Sequence, residues 1–230
     1  MSMNQIEDFI IDEPYQKTSE DNDCISKASP HACHKKDWTS PHLDGFKNNL
    51  REYLRQQQHR RCAYCRLRFH ETEATAEIEH IVPKDKKPDW MYETFNLCLS
   101  CKMCNTKKGH TKPIIRDESA HYLPKLSDDY LIVHPYLDKY SQHIELVDDI
   151  LYKGVTEKGK YTIKVCELNR FMLAAERVEQ KIIHDAKFYI KFMLAMVDDN
   201  HRILVDNIEK FIEYIKERIE EYKEQNSTQQ

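Results

Sequence analysis

Cys62-x-x-Cys65 and Cys101-x-x-Cys104 enclose a Glu79-His80 pair and Asn96, and Asn105 follows the last cysteine directly. Two thiolate pairs of this spacing suit tetrahedral Zn²⁺, which prefers sulfur and builds closed structural sites from four protein ligands. Such an ion has no vacant position at which to activate water, so its work is to pin backbone, and the chemistry falls to the residues it encloses. Those residues are a base and ligands for a hard cation. An imidazole near its unperturbed pKa takes a proton from water at neutral pH. Mg²⁺ needs only one or two protein oxygens beside its waters and a substrate phosphate, and Glu79 and Asn105 supply that number. The pattern predicts a structural Zn²⁺ on Cys62, Cys65, Cys101 and Cys104. It also predicts a separate catalytic Mg²⁺ or Mn²⁺ on Glu79 and Asn105, beside His80.

Closely spaced zinc knuckles usually leave roughly 15–20 residues between the pairs. Here 35 residues separate Cys65 from Cys101, enough for a strand and a loop. Cys98-x-x-Cys101 is a competing register. The Cys101/Cys104 pair is preferred because it sets Asn105 and Lys108 at a helix start, and Cys98 then serves as a small core hydrophobe. Cys24, His31, Cys33 and His34 form a second group of potential ligands whose spacing matches no common zinc pattern.

Several elements must hold these residues in place. Ser40-Pro41 gives an N-cap and N1 proline, and Leu43, Phe46, Leu50, Tyr53 and Leu54 recur along one face of a helix over 41–59. The opposite face, with Lys47, Arg51, Arg55 and His59, reads as solvated. Two short strands follow, 62–69 and 76–82, then a proline-rich loop over 84–93 and a helix over 101–112. Further strands are expected at 130–133, 143–147 and 161–165. Apolar residues at helical spacing over 168–183 and 203–219 predict an αα-hairpin that buries a face against the domain or a partner. Residues 1–37 are polar and read as an arm or a partly ordered extension.

Charge is unevenly placed. Residues 60–116 carry 12 Lys/Arg against 7 Asp/Glu, an excess of +5, while the remainder carries 23 against 32, or −9. The central segment can therefore face phosphate where the flanks cannot. Lys107, Lys108, Lys112 and His110 lie close enough to the predicted site to be weighed as phosphate contacts against a solvated face. The opening MSMNQIEDFIIDE has no basic start leading into an apolar run, and no stretch approaches the ~20 apolar residues a membrane span needs. The expectation is a soluble cytoplasmic protein with reduced thiols and no membrane partner.

Cys62-Ala-Tyr-Cys65, Ile78-Glu-His-Ile-Val-Pro-Lys84, Asn96-Leu97 and Cys101-Lys-Met-Cys-Asn-Thr-Lys-Lys-Gly109 resemble the zinc-knuckle branch of the HNH, or ββα-metal, nucleases. The resemblance spans residues 38–116. It implies an α+β, mostly helical fold: a ββα-metal core stapled by a four-cysteine zinc site, with an α-helical C-terminal extension. It implies His80 as general base, Glu79 and Asn105 as metal ligands, and Asn96 as the residue that orders the loop and orients the histidine. Glu79 stands where many members have Asp, and Asn105 where the name-giving last histidine would be.

The domains then run 1–37 as N-terminal extension, 38–120 as nuclease domain and 121–230 as a mixed, then helical, partner-docking region. Trp38, the strand form EHIVPK and Leu168-Asn-Arg170 are similar to the nuclease subunits of Septu and retron anti-phage cassettes. That similarity implies nucleic acid, DNA or RNA, as substrate and an ABC/SMC-type ATPase as partner. The competing reading is a non-catalytic zinc-ribbon assembly module. A pure scaffold, however, has no need for oxygen ligands beside a base.

Overall fold

The computed structural model describes residues 8–31, 33–69, 76–147, 150–178 and 180. Residues up to Ala174 pack as one unit of α+β class. Of the αα-hairpin expected over 168–183 and 203–219, the described residues reach only the first helix, as 168–178, helical over 171–178, and residue 180; the rest lies outside them. No described helix is long and apolar enough to cross a membrane.

The described part of the N-terminal stretch is ordered, more so than its polarity suggests. Helix α1 (Ser19–Ala28) starts on a capping box in which the Thr18 hydroxyl accepts from the Asp21 amide and the Asp21 carboxylate accepts from the Thr18 amide. The same buried carboxylate accepts from Tyr15 Oη and from Asn49 Nδ2 of α2 (Asp44–Gln57), which ties the two helices together. Ahead of α1, Phe9 and Ile11 are buried, and the Ile11 amide donates to the Pro135 carbonyl. A helix anchored by hydrogen bonds more than by an apolar stripe leaves little periodicity to read.

Helix α2 follows a 3₁₀ turn over Pro41–Leu43, in which the His42 amide donates to the Ser40 hydroxyl. Phe46, Leu50 and Leu54 recur every fourth residue and are fully buried. Each such side chain contributes about 1.5–3 kcal/mol. Just past the helix, the buried Gln58 amide pairs with both the Leu99 amide and the Leu99 carbonyl, as a neighbouring strand would.

The central sheet has two antiparallel strands, β1 (Ala76–His80) and β2 (Leu97–Cys101), with His80 opposite Leu97 and Ala76 opposite Cys101. Helix α3 (Lys102–Lys108) leaves β2 directly, its N-cap being Cys101. Residues 62–69, expected to be the first strand, instead form a tight turn closed by a lone Arg61–Arg68 bridge, with Arg66 at φ +59°. The reason is geometric. Cys62 and Cys65 are three apart, and a strand would send them to opposite faces.

Of the later strands, β3 (Ile144–Val147) pairs with β4 (Leu151–Gly154), and residue 130 makes only an isolated bridge with Ile115. Residues 161–165 are helical, within α4 (Glu157–Cys166), which is N-capped by Thr156. There Thr162, Val165 and Cys166 are buried at helical spacing. The alternation of Tyr161, Ile163 and Val165 imitates a strand.

Candidate active site and thiolate cluster

The ligand atoms of Cys62, Cys65, Cys101 and Cys104 all lie within 4.8 Å of one another. Four sulfurs about 2.3 Å from a tetrahedral ion would stand roughly 3.8 Å apart, and Cys65 and Cys101 Sγ are 4.0 Å apart. The donor set therefore fits a soft tetrahedral ion. Among the described residues no other group of this kind occurs, and Cys98 is buried in the core outside it. Backbone amides of Cys101 and Cys104 donate to Cys62 Sγ and Cys101 Sγ at 3.3 and 3.4 Å, and Arg170 Nη2 donates to Cys104 Sγ at 3.5 Å. Such donors offset the charge that thiolates gather.

The knuckle turn is held from behind by tyrosines with no motif to announce them. Tyr140 Oη donates to the Tyr64 carbonyl at 2.6 Å, and Tyr152 Oη donates to the Cys65 carbonyl. Asn169 in turn pairs both its amide groups with the Tyr152 backbone. Leu168-Asn-Arg170 thus joins β4 to the cluster.

His80 ends β1 and is 5% exposed. Its ring meets Trp38 edge-on at 4.4 Å between centroids, and Nε2 lies 3.2 Å from the Met91 carbonyl. A neutral imidazole that donates from Nε2 keeps the Nδ1 lone pair as acceptor. Burial, followed by the Lys84 and Lys108 cations, pushes its pKa down to about 3, so the ring is neutral at pH 7 but a weaker base than the near-unperturbed imidazole that the sequence suggests.

Asn96 is fully buried. Its Oδ1 accepts from the Val82 amide at 2.8 Å, and Nδ2 donates to the Val82 and Trp90 carbonyls at 3.0 and 3.3 Å. The Ile81 amide also donates to the Asn96 carbonyl. One side chain therefore fixes both ends of the loop that carries the chain away from His80.

Strand alternation puts Glu77 and Glu79 on the face opposite His80. Asn105 and Lys108, three apart on α3, meet them there. Asn105 Nδ2 donates to Glu77 Oε2 at 2.7 Å, and Lys108 Nζ lies 2.6 Å from Glu79 Oε1. The second pair is deeply buried, with the glutamate and lysine side chains 7% and 1% exposed. Burial raises the Glu79 carboxyl above its usual range, and the Lys108 ammonium opposes that rise. Lys108 also donates to the His80 carbonyl at 3.0 Å.

All four predicted site residues are thus close in space, with Asn96 behind the loop and the others at one cleft. That cleft, about 380 Å³, is lined by Glu77, Glu79, His80 and Asn105 together with Trp38, Lys47, Arg51 and Lys84. Lys47 and Arg51 belong to the face of α2 that reads as solvated, so their place here is a correction. Their i, i+4 spacing on one side of the helix is the signal that could have found them. The lysines weighed as phosphate contacts are engaged within the fold. Lys107 pairs with Glu167 at 2.7 Å, Lys112 donates to the Lys107 and Val165 carbonyls, and Lys108 is buried against Glu79.

Residues 62–111 match the family model described as HNH endonuclease. Over 117 residues the chain is 35% identical to Septu protein PtuB of Bacillus thuringiensis, a match that covers 51% of this chain and 40% of that protein. It is 23% identical over 144 residues to Septu protein PtuA of Bacillus mycoides (strain KBAB4), covering 56% of this chain and 20% of that protein. The chain spans less than half the length of either relative.

Proposed function

We propose that this chain, whose residues 62–111 form an HNH endonuclease domain, hydrolyses phosphodiester bonds in nucleic acid as the nuclease component of a Septu-like anti-phage assembly. The observation that carries the chemistry is the shared cleft. A neutral, oriented histidine, two carboxylates, a carboxamide and the cations Lys47, Arg51 and Lys84 all line it. In this reading His80 Nδ1 takes the proton from the attacking water, while the Nε2 contact with Met91 holds the tautomer. Asn96 keeps the loop, and with it the ring, in position. Lys47, Arg51 and Lys84 hold the backbone phosphates of the substrate.

Asn105 and the acidic face of β1, for which the family resemblance points to Glu79, offer hard oxygen donors to a divalent ion. Mg²⁺ or Mn²⁺ bound there would neutralise charge developing on the phosphate and the leaving oxygen. The four cysteines suit a structural Zn²⁺.

The defence role rests on likeness to proteins named Septu PtuB and PtuA. An ABC/SMC-type ATPase is the partner that the resemblance implies. Reduced thiols in a closed cluster suit a cytoplasmic setting.

The decisive variant is His80→Ala, assayed on DNA and RNA with Mg²⁺ or Mn²⁺ and with the partner present. Cleavage is expected to fall by about 10²–10⁴-fold, the usual contribution of a positioned base, with the zinc content unchanged. Parental rates from a folded variant would rule out the assignment. Absence of cleavage by the parent under every partner and nucleotide condition would favour the zinc-ribbon assembly module.

A further inference from the structure

The two carboxylates facing α3 are not equivalent. Glu79 is within 2.6 Å of an ammonium that is itself 1% exposed, and the Tyr64 hydroxyl lies 3.4 Å from the same carboxylate oxygen. Drawing Glu79 onto a divalent ion would turn toward the cleft a carboxylate that now compensates Lys108, and would weaken that compensation in the interior, an unfavourable change. Glu77 occupies the other end of the same row. It is only half-buried, it lines the cleft, and its hydrogen-bond partner is the neutral amide of Asn105. The contact is made through Asn105 Nδ2; with the carboxamide turned about its Cβ–Cγ bond, Oδ1 and the Glu77 carboxylate would offer the two oxygens a small hard cation takes from protein, the remaining positions going to water and phosphate.

We propose that Glu77, with Asn105, is the carboxylate ligand of the divalent cation in the cleft, and that Glu79 serves instead as the buried counter-ion that positions Lys108 and, through it, the His80 carbonyl. This assignment rests on the nuclease reading above and changes the ligand that the family pattern nominates. It also accounts for a glutamate at position 79, whose carboxylate reaches the ammonium of Lys108 on α3.

The test measures ion binding directly, on the full-length zinc-loaded protein, by titrating Mn²⁺ and following free Mn²⁺ by electron paramagnetic resonance. Terbium luminescence sensitised by Trp38, which lines the same cleft, gives a second readout. Glu77→Gln is expected to weaken Mn²⁺ binding at least about 10-fold while leaving zinc content and thermal midpoint near those of the parent. Glu79→Gln is expected to lower the midpoint. The charge-balanced pair Glu79→Gln with Lys108→Met is expected to bind Mn²⁺ within about threefold of the parent. Parental affinity in Glu77→Gln, or loss of binding in the folded double variant, would overturn the assignment. If the parent cleaves nucleic acid while Glu77→Gln binds Mn²⁺ normally, this proposal alone fails. A parent that neither binds Mn²⁺ nor cleaves overturns the divalent-ion reading and this one together.

Discussion

Asn96 commits its whole side-chain amide to the backbone of the loop behind His80, and no water can replace it without entering the core. Asn96→Ala would leave the Val82 amide, the Val82 carbonyl and the Trp90 carbonyl without their partner. Unpaired buried groups cost about 1–3 kcal/mol each, so a loss of about 3–5 kcal/mol is expected in urea unfolding, with cleavage reduced alongside. A variant as stable as the parent would mean that the loop holds itself. Asn96 is legible in the sequence because its motif names it. Glu77 is not: it belongs to no motif, and its importance comes from a helix residue 28 positions later that meets it in space.

The elements divide according to what the thiolates demand. Cys62 and Cys65 must converge on one point, which excludes a strand and imposes a turn. Cys101 and Cys104 converge because β2 gives way to α3 between them. A closed thiolate site adds about 10–16 kcal/mol of apparent binding free energy in small zinc domains, comparable to the whole stability of many domains. Stripping the proposed zinc with a strong chelator should therefore abolish the cooperative thermal transition of residues up to Ala174 and release one zinc per chain. An unchanged melting profile after complete removal would show that hydrogen bonds alone hold the knuckles. Helix α2 is readable from its fourfold apolar spacing. Helix α1 is not, because its anchor is Asp21 and not a hydrophobic stripe.

Beyond single elements, the segment after residue 111, where the family match ends, is continuous with the core. Tyr136 Oη donates to the Leu97 carbonyl at 2.7 Å, and the tyrosines at 140 and 152 reach the first knuckle. At the centre of this packing lies His134, fully buried and 4.2 and 4.9 Å from the rings of Tyr130 and Phe95. Burial, and then Lys158 and Lys125, push its pKa down to about 3. The unfolded chain takes up that proton near pH 6.5. Between about pH 6.5 and 3 it therefore binds more protons than the folded chain, and stability falls as pH falls, by up to about 1.4 kcal/mol per pH unit. Denaturant titrations of the parent and of His134→Phe, from pH 7.5 to 5, should show a shallower pH dependence in the variant. Equal slopes would show that the ring is already charged in the fold.

The thiolate cluster, the place of His80, the loop asparagine and α2 can all be read from the chain alone, because each is encoded within a few residues: ligand spacing, a motif neighbour, an apolar period. Which carboxylate faces Asn105 and which tyrosines brace the knuckle are settled by folding. Those choices depend on pairings between residues as far as 28 and 87 positions apart. No local pattern records them.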